Sequence, residues 1–201
     1  MNHPTKQILI DTAVILLDEL PMEKVTSELV LEKSKISKGS LYHHFPDFGH
    51  LIDEAQVLRF SRYVDGSIDA IAHILQNAAS ADEIKTTLRA LTADTQSEQR
   101  SKDRRNRLQL LGLATQRPYF EEILGREQER LTAGLADLVR EAQEKGWIRL
   151  EFSPRAVALL IQSYTLGVWL DDITPNRIPA HDWVTLINAV VENVLLAPAQ
   201  P

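Results

Sequence analysis

The chain of 201 residues has no cysteine, so neither disulfides nor thiolate-bound metals hold it together, a composition suited to a reducing cytoplasm. No apolar run approaches the length of a membrane span. The start, Met1-Asn2-His3-Pro4-Thr5-Lys6, has no signal-peptide core. These absences lead to the expectation of a cytoplasmic protein without a membrane partner. No alternating strand pattern, repeat or low-complexity segment stands out. A phosphate-cradling glycine loop, a nucleophile elbow and an HExxH pair are also missing, so no catalytic residue, metal or cofactor is expected and the chain does not read as an enzyme. Arginine is absent from residues 1–50, where five lysines face seven acids (5 − 7 = −2), and the whole chain sets 22 Lys+Arg against 28 Asp+Glu for a net charge of −6. That balance excludes a general nucleic-acid binder, whose affinity would come from neutralising phosphates.

What is present is concentrated in Ile36-Ser37-Lys38-Gly39-Ser40-Leu41-Tyr42-His43-His44-Phe45. Ser37 is placed to accept from the free N–H groups of a following helical turn. Leu41 and Phe45 are four apart and, with Ile36, make one buried face. Lys38, Ser40, Tyr42, His43 and His44 are left pointing outward, nearly all able to donate a hydrogen bond. Such a face suits phosphates and base edges.

The preceding residues supply its frame. Ile8, Leu9, Thr12, Ala13, Leu16, Leu17 and Leu20 recur at three-and-four spacing, and Pro21 ends that helix. Thr26 stands as a cap before a short helix over Ser27–Lys33, with Val30 and Leu31 facing inward. A tight turn through Ser34-Lys35-Ile36 then leads into the polar segment. Helix, short helix, turn and short helix make a helix-turn-helix, its last helix placed for the major groove.

Over Ile8 to Leu51 the chain resembles the DNA-binding domain of the tetracycline-repressor (TetR) family of bacterial regulators. The matching pieces are Ile8-Leu9, Ala13, Thr26, Val30-Leu31, the string ISKGSLYHHF, Pro46-Asp47 and Leu51. The resemblance implies an all-α protein: a three-helix helix-turn-helix head over 1–50, a larger helical ligand-binding and dimerisation bundle over 51–197, and a tail at 198–201. It further implies a homodimeric repressor of double-stranded operator DNA, released by a small-molecule effector. Thr26, Lys38, Tyr42 and His43 would contact phosphates, with Ser37, Lys38 and Ser40 nearest to bases and Gly39 among them. Three departures stand out. Lys35 occupies a turn position where glycine is common, Phe48 replaces a phosphate-binding lysine, and Leu20-Pro21 replaces a helix-ending glycine.

The remainder reads as helix after helix. One runs from about Asp47 to Leu75, and a second from a Ser80 cap to about Glu98. A charged stretch precedes the apolar Leu108–Ala114, Pro118 opens a helix reaching Lys145 before Gly146, and Ser153 with Pro154 opens one ending near Asp172. The last spans about 180–196. Ala156, Leu159, Leu160, Ser163, Gly167 and Leu170 make one apolar stripe with small residues, and Val184, Ile187, Val191, Val194 and Leu195 make another. The resemblance assigns these two helices to the dimer interface. For the effector, Tyr63, Thr92, Gln109, Tyr119, Gln162, Tyr164 and Trp169 are polar or aromatic residues at positions compatible with facing inward.

Other constellations have plainer readings. His43 and His44 point to different faces and make no metal pair. Asp171-Asp172 reads as a helix end, and Arg100, Lys102, Arg104, Arg105 and Arg107 as a solvated helix start balanced by Glu98 and Asp103. The competing reading, a helical small-molecule or partner-binding protein with a degenerate DNA-binding head, rests on Lys35, Phe48 and the acidic head.

Overall fold

A computed structural model describes residues 4–197; the proposed tail at 198–201 lies outside the described residues. Helices α1 (Pro4–Glu19), α2 (Ser27–Ser34) and α3 (Lys38–His44) form the head. The three-and-four spacing of α1 buries Leu9, Ala13, Leu16 and Leu17 against Val30, Leu41, Phe45 and, from the next helix, Leu51 and Ala55. Ile10 and Val14 join that core, whereas Ile8 is exposed. Pro21 stops α1 and opens one 3₁₀ turn, Met22–Lys24.

Helix α4 (Phe48–Asn77) is continuous through both compact units of the chain. One unit runs up to Tyr63 and takes in Leu111–Glu127; the other holds Val64–Leu110 and the described residues from Gln128 onward. This is a division by packing, different in kind from the partition at residue 50 that the resemblance implies. The second unit is built from the rest of α4, α5 (Ala81–Thr95), α6 (Ser101–Ala114) up to Leu110, α7 (Pro118–Glu144) from Gln128 on, α8 (Pro154–Gly167), the single turn α9 (Trp169–Asp172) and α10 (Ala180–Val190). Leu75, Ile84, Ala142 and Leu196 form one of its cores. Gly146 lets α7 end with φ +74, which a Cβ would oppose.

Several local expectations need correction. Ser80 caps α5 as expected, its hydroxyl accepting from the Glu83 N–H at 3.2 Å, but the helix ends at Thr95 and not near Glu98. Ser153 precedes α8, but its side chain makes no cap bond, and Pro154 alone marks the start. The helix expected to reach Asp172 is interrupted after Gly167, the poorest helix former beyond its first turn. The last helix gives way to a π-helical turn over Val191–Leu195, closed by Leu196 N–H to Val191 C=O at 2.9 Å.

The larger correction concerns the basic run. Arg100, Lys102 and Arg105 are exposed, but Arg104 and Arg107 are each 5% exposed. Arg104 turns inward because α5 ends beside it: its Nη1 donates to the Thr95 carbonyl at 2.9 Å and the Ser97 carbonyl at 3.0 Å. The Thr95 carbonyl, in the last turn of α5, would otherwise lack an intrahelical partner, whereas the Ser97 carbonyl also takes the Arg100 N–H at 3.2 Å. Nor is Asp172 only a helix end, since it accepts from Ser101 at 3.2 Å and from Arg104 Nη2 at 3.4 Å.

Candidate nucleic-acid interface and effector cavity

The head presents α3 on a doubly capped frame. Thr26 Oγ1 accepts from the Leu29 N–H at 3.3 Å, and Ser37 Oγ from the Ser40 N–H at 3.2 Å. Between the two helices Lys35 adopts φ 59, ψ 22, the left-handed conformation that a tight turn demands and that glycine adopts most easily. Leu41 and Phe45 are fully buried, so the opposite side of α3 must face solvent. Lys38, Gly39, Tyr42 and His43 lie there exposed, as does Thr26 at the start of α2, while Ser40 is half-buried. A Cβ on Gly39 would meet only Ser37 Oγ, at 4.0 Å, so packing within this chain does not require glycine there.

The surrounding charges limit what this face can hold. The carboxyl of Glu28 is held below the usual carboxylate range by its own backbone N–H and the Thr26 and Ser27 hydroxyls, with a smaller pull from the Lys38 ammonium. Acids on the back of the head meet cations of α1 and α4. Asp18 takes Arg59 at 2.8 Å, Asp11 lies 3.9 Å from Arg62, and Glu54 takes Lys6 at 2.8 Å. At the start of α4 the carboxylate of Asp47 accepts from the His50 N–H at 2.9 Å. Gly49 leaves room for it, since a Cβ would come within 3.0 Å of Asp47 Oδ1. A carboxylate therefore caps the helix end where a phosphate-binding lysine would be expected. The Asp-x-Gly spacing was the available sequence signal for this cap.

The second unit encloses a cavity of about 80 Å³. Ile71, Leu75, Leu88, Leu135, Val157 and Ile161 are among its apolar walls, and only Thr92 and Tyr164 add hydroxyls. Burial pushes the Tyr164 phenol above its usual pKa, against a smaller opposing pull from its hydrogen bond with Thr92.

Of the seven effector candidates, Thr92 and Tyr164 line this cavity. Gln162 is buried in a polar network, accepting from Arg107 Nη2 at 3.0 Å and Gln128 at 2.6 Å while donating to Thr132 at 3.1 Å. Trp169 is half-buried on α9, and Gln109 is exposed. Tyr63 and Tyr119 belong to the head-bearing unit: Tyr63 stacks on Phe60 at 5.9 Å, and Tyr119 donates to Glu54 at 3.1 Å. The aliphatic part of the lining was not legible in the sequence, because nothing in the pattern separates a wall from a filled core.

The apolar stripes also divide differently from their spacing. On α8, Ala156, Leu159, Leu160 and Ser163 are exposed, continuing to Leu170 on α9. At the chain's end, however, Ile187 and Leu195 are buried, and Leu186 and Val194 are the exposed apolar residues. Among the described residues no helix is long and apolar enough to cross a membrane.

An exposed donor face on the second helix of a helix-turn-helix, in a chain that also holds a cavity-bearing helical unit, is the arrangement of a helix-turn-helix regulator. Residues 9–55 match the family described as bacterial regulatory proteins, tetR family. The regulator UidR of Escherichia coli K12 is 22% identical over 176 residues, covering 84% of this chain and 82% of its own. A structure from Mesorhizobium loti, described as a TetR-family transcriptional regulator, superposes with TM-score 0.69 at 19% identity over 94% of each chain. A transcriptional regulator from Saccharomonospora viridis in complex with choline gives TM-score 0.64 at 19% identity, covering 96% of this chain and 98% of that one. Residues 9–55 thus match the DNA-binding domain of the tetR family of bacterial regulatory proteins, and the chain as a whole shares the fold of solved TetR-family regulators.

Proposed function

We propose that this protein is a cytoplasmic, homodimeric repressor that occupies double-stranded operator DNA and leaves it when a small molecule fills the second unit. The observation that carries the proposal is the rigid presentation of α3, whose buried Leu41 and Phe45 force Lys38, Tyr42 and His43 outward. Lys38, Tyr42, His43 and Thr26 then contact phosphates. Lys38 and Ser40 lie nearest to base edges, while Ser37 acts mainly through its cap. Gly39 allows the backbone of α3 to approach DNA closely, which explains a glycine that the chain's own packing does not need.

One short helix reads too few bases for specificity, so two heads are needed at a fixed separation. The exposed stripe Leu159, Leu160 and Leu170, together with Leu186 and Val194, supplies the interface between copies. Ligand in the cavity acts by preferring the arrangement in which the heads are wrongly spaced. Moving a population from nearly all bound to nearly all free takes a differential affinity of about 5.5 kcal/mol.

A gel shift with the protein's own upstream DNA across a salt series tests this reading. A sequence-specific band with a shallow salt slope, reflecting few phosphate contacts, is expected. Absence of any specific band at low salt would overturn it in favour of a helical binding protein with a degenerate head.

A further inference from the structure

Four buried hydrogen-bonding atoms of the second unit have no partner among the described residues: Gln96 Nε2, Ser97 Oγ, Arg104 Nε and Trp169 Nε1. All four can donate. Burying an unmet donor opposes folding, so a cluster of them calls for an acceptor. These four are also close together in the fold. Arg104 binds the Ser97 carbonyl at 3.0 Å, and Asp172, one turn along α9 from Trp169, lies 3.4 Å from Arg104. Gln96 is oriented by Trp183, whose indole N–H donates to Gln96 Oε1 at 3.1 Å, leaving the amide nitrogen outward from that bond.

The guanidinium of Arg104 is aimed. Its Nη1 arm is pinned by two backbone carbonyls, at 2.9 and 3.0 Å. The remaining Nε–Nη2 edge is the fork that carboxylates occupy in parallel. Here that edge has only the long contact to Asp172. By contrast, the surface pair Arg155–Glu129 closes with two bonds of 2.7 Å each.

The corner adjoins the apolar cavity. Gln96 follows the cavity residue Thr92 by one turn of α5, its N–H bonded to the Thr92 carbonyl at 3.0 Å. Four residues of helix advance about 6 Å. We propose that the effector is a small carboxylic acid with an apolar body, its carboxylate on Arg104, Trp169 and Gln96 and its body in the aliphatic cavity. This rests on the effector reading above and names the chemistry of that ligand.

The test compares matched acids and amides on the full chain: 4-phenylbutyrate against 4-phenylbutyramide, and octanoate against octanamide. Affinity is measured by calorimetry and thermal shift, and DNA release by gel shift. Each acid is expected to bind about tenfold or more tightly than its amide, the worth of a charge-assisted fork. Arg104→Gln should erase that preference. Because a buried arginine can be needed for folding, Trp169→Phe, which removes one N–H and keeps the ring, serves as a second variant. It should weaken the acids by about threefold or more and leave the amides unchanged.

Equal binding of acid and amide, or binding of neither, overturns the inference even if the protein still holds DNA. Tight acid binding with no effect on DNA supports it and instead overturns the regulatory reading.

Discussion

The hydroxyls of Ser37 and Ser40 lie 3.0 Å apart, the first capping the helix that carries the second. Ser37 is thereby a structural residue, whatever DNA contact it is proposed to make. Ser37→Ala should lower stability by about 1 kcal/mol, the usual worth of an N-cap, as measured by urea denaturation. Its effect on operator affinity should follow that loss of helix order. Ser40→Ala should leave stability within about 0.5 kcal/mol, since the Ser37 cap bond goes to its backbone. A Ser37→Ala protein of unchanged stability would remove the cap from the account.

Lys35 is the one described non-glycine residue with positive φ, at 59. A left-handed L-residue costs about 1–2 kcal/mol, while glycine adds about 0.5–1 kcal/mol of unfolded-chain entropy. Lys35→Gly should therefore stabilise the protein by about 0.5 kcal/mol, and Lys35→Val should destabilise it by more. Thermal melts check both, and a less stable glycine variant would show that the lysine side chain makes a compensating contact.

Leu159 is 60% exposed and Leu170 is 70% exposed on the same side of the α8–α9 run. Leu159→Glu should give a folded monomer in sedimentation at micromolar concentration and abolish specific operator binding. If the variant remains dimeric, the interface lies elsewhere.

Glu192 ties the π-helical turn to α5, accepting from Arg89 and from Lys85, the latter at 2.9 Å. Arg89 first and Lys85 second hold its carboxyl below the usual value of 4.5. A folded pKa below the unfolded one adds stability above about pH 4.5, which is lost as pH falls through the folded value. Glu192→Gln should thus melt below the wild type near pH 7, by a small margin because the cations are half exposed, and converge with it once the pH falls below the folded value. A gap that persists at the acid end would mean that the loss is one of packing.

Much of the head was legible because its determinants are local. Thr26 and Ser37 announce caps, Leu41 and Phe45 announce a buried face, and the turn between them leaves Lys35 little choice of conformation. Asp47 was harder to read: its role depends on Gly49 leaving space for the carboxylate, which is a matter of three-dimensional contact.

In the second unit, periodicity located the helices but not their surroundings. Arg104 sits in a run that reads as solvated, yet the end of α5 folds back over it and supplies two carbonyls. Ile187 and Leu195 share a stripe with Val194, yet only Val194 faces out, because a π-helical turn alters the angular step between residues. Thr92 and Tyr164 line the cavity while Gln109 does not, and that division depends on which helices become neighbours.

The sequence by itself determined an all-helical chain with a helix-turn-helix head and a sparsely charged, donor-bearing second helix, since caps, turns and a four-residue apolar repeat act within one or two turns. Only the tertiary structure decided which polar groups are buried together, which apolar stripe remains open and where the cavity lies, because burial depends on packing between residues distant in the chain.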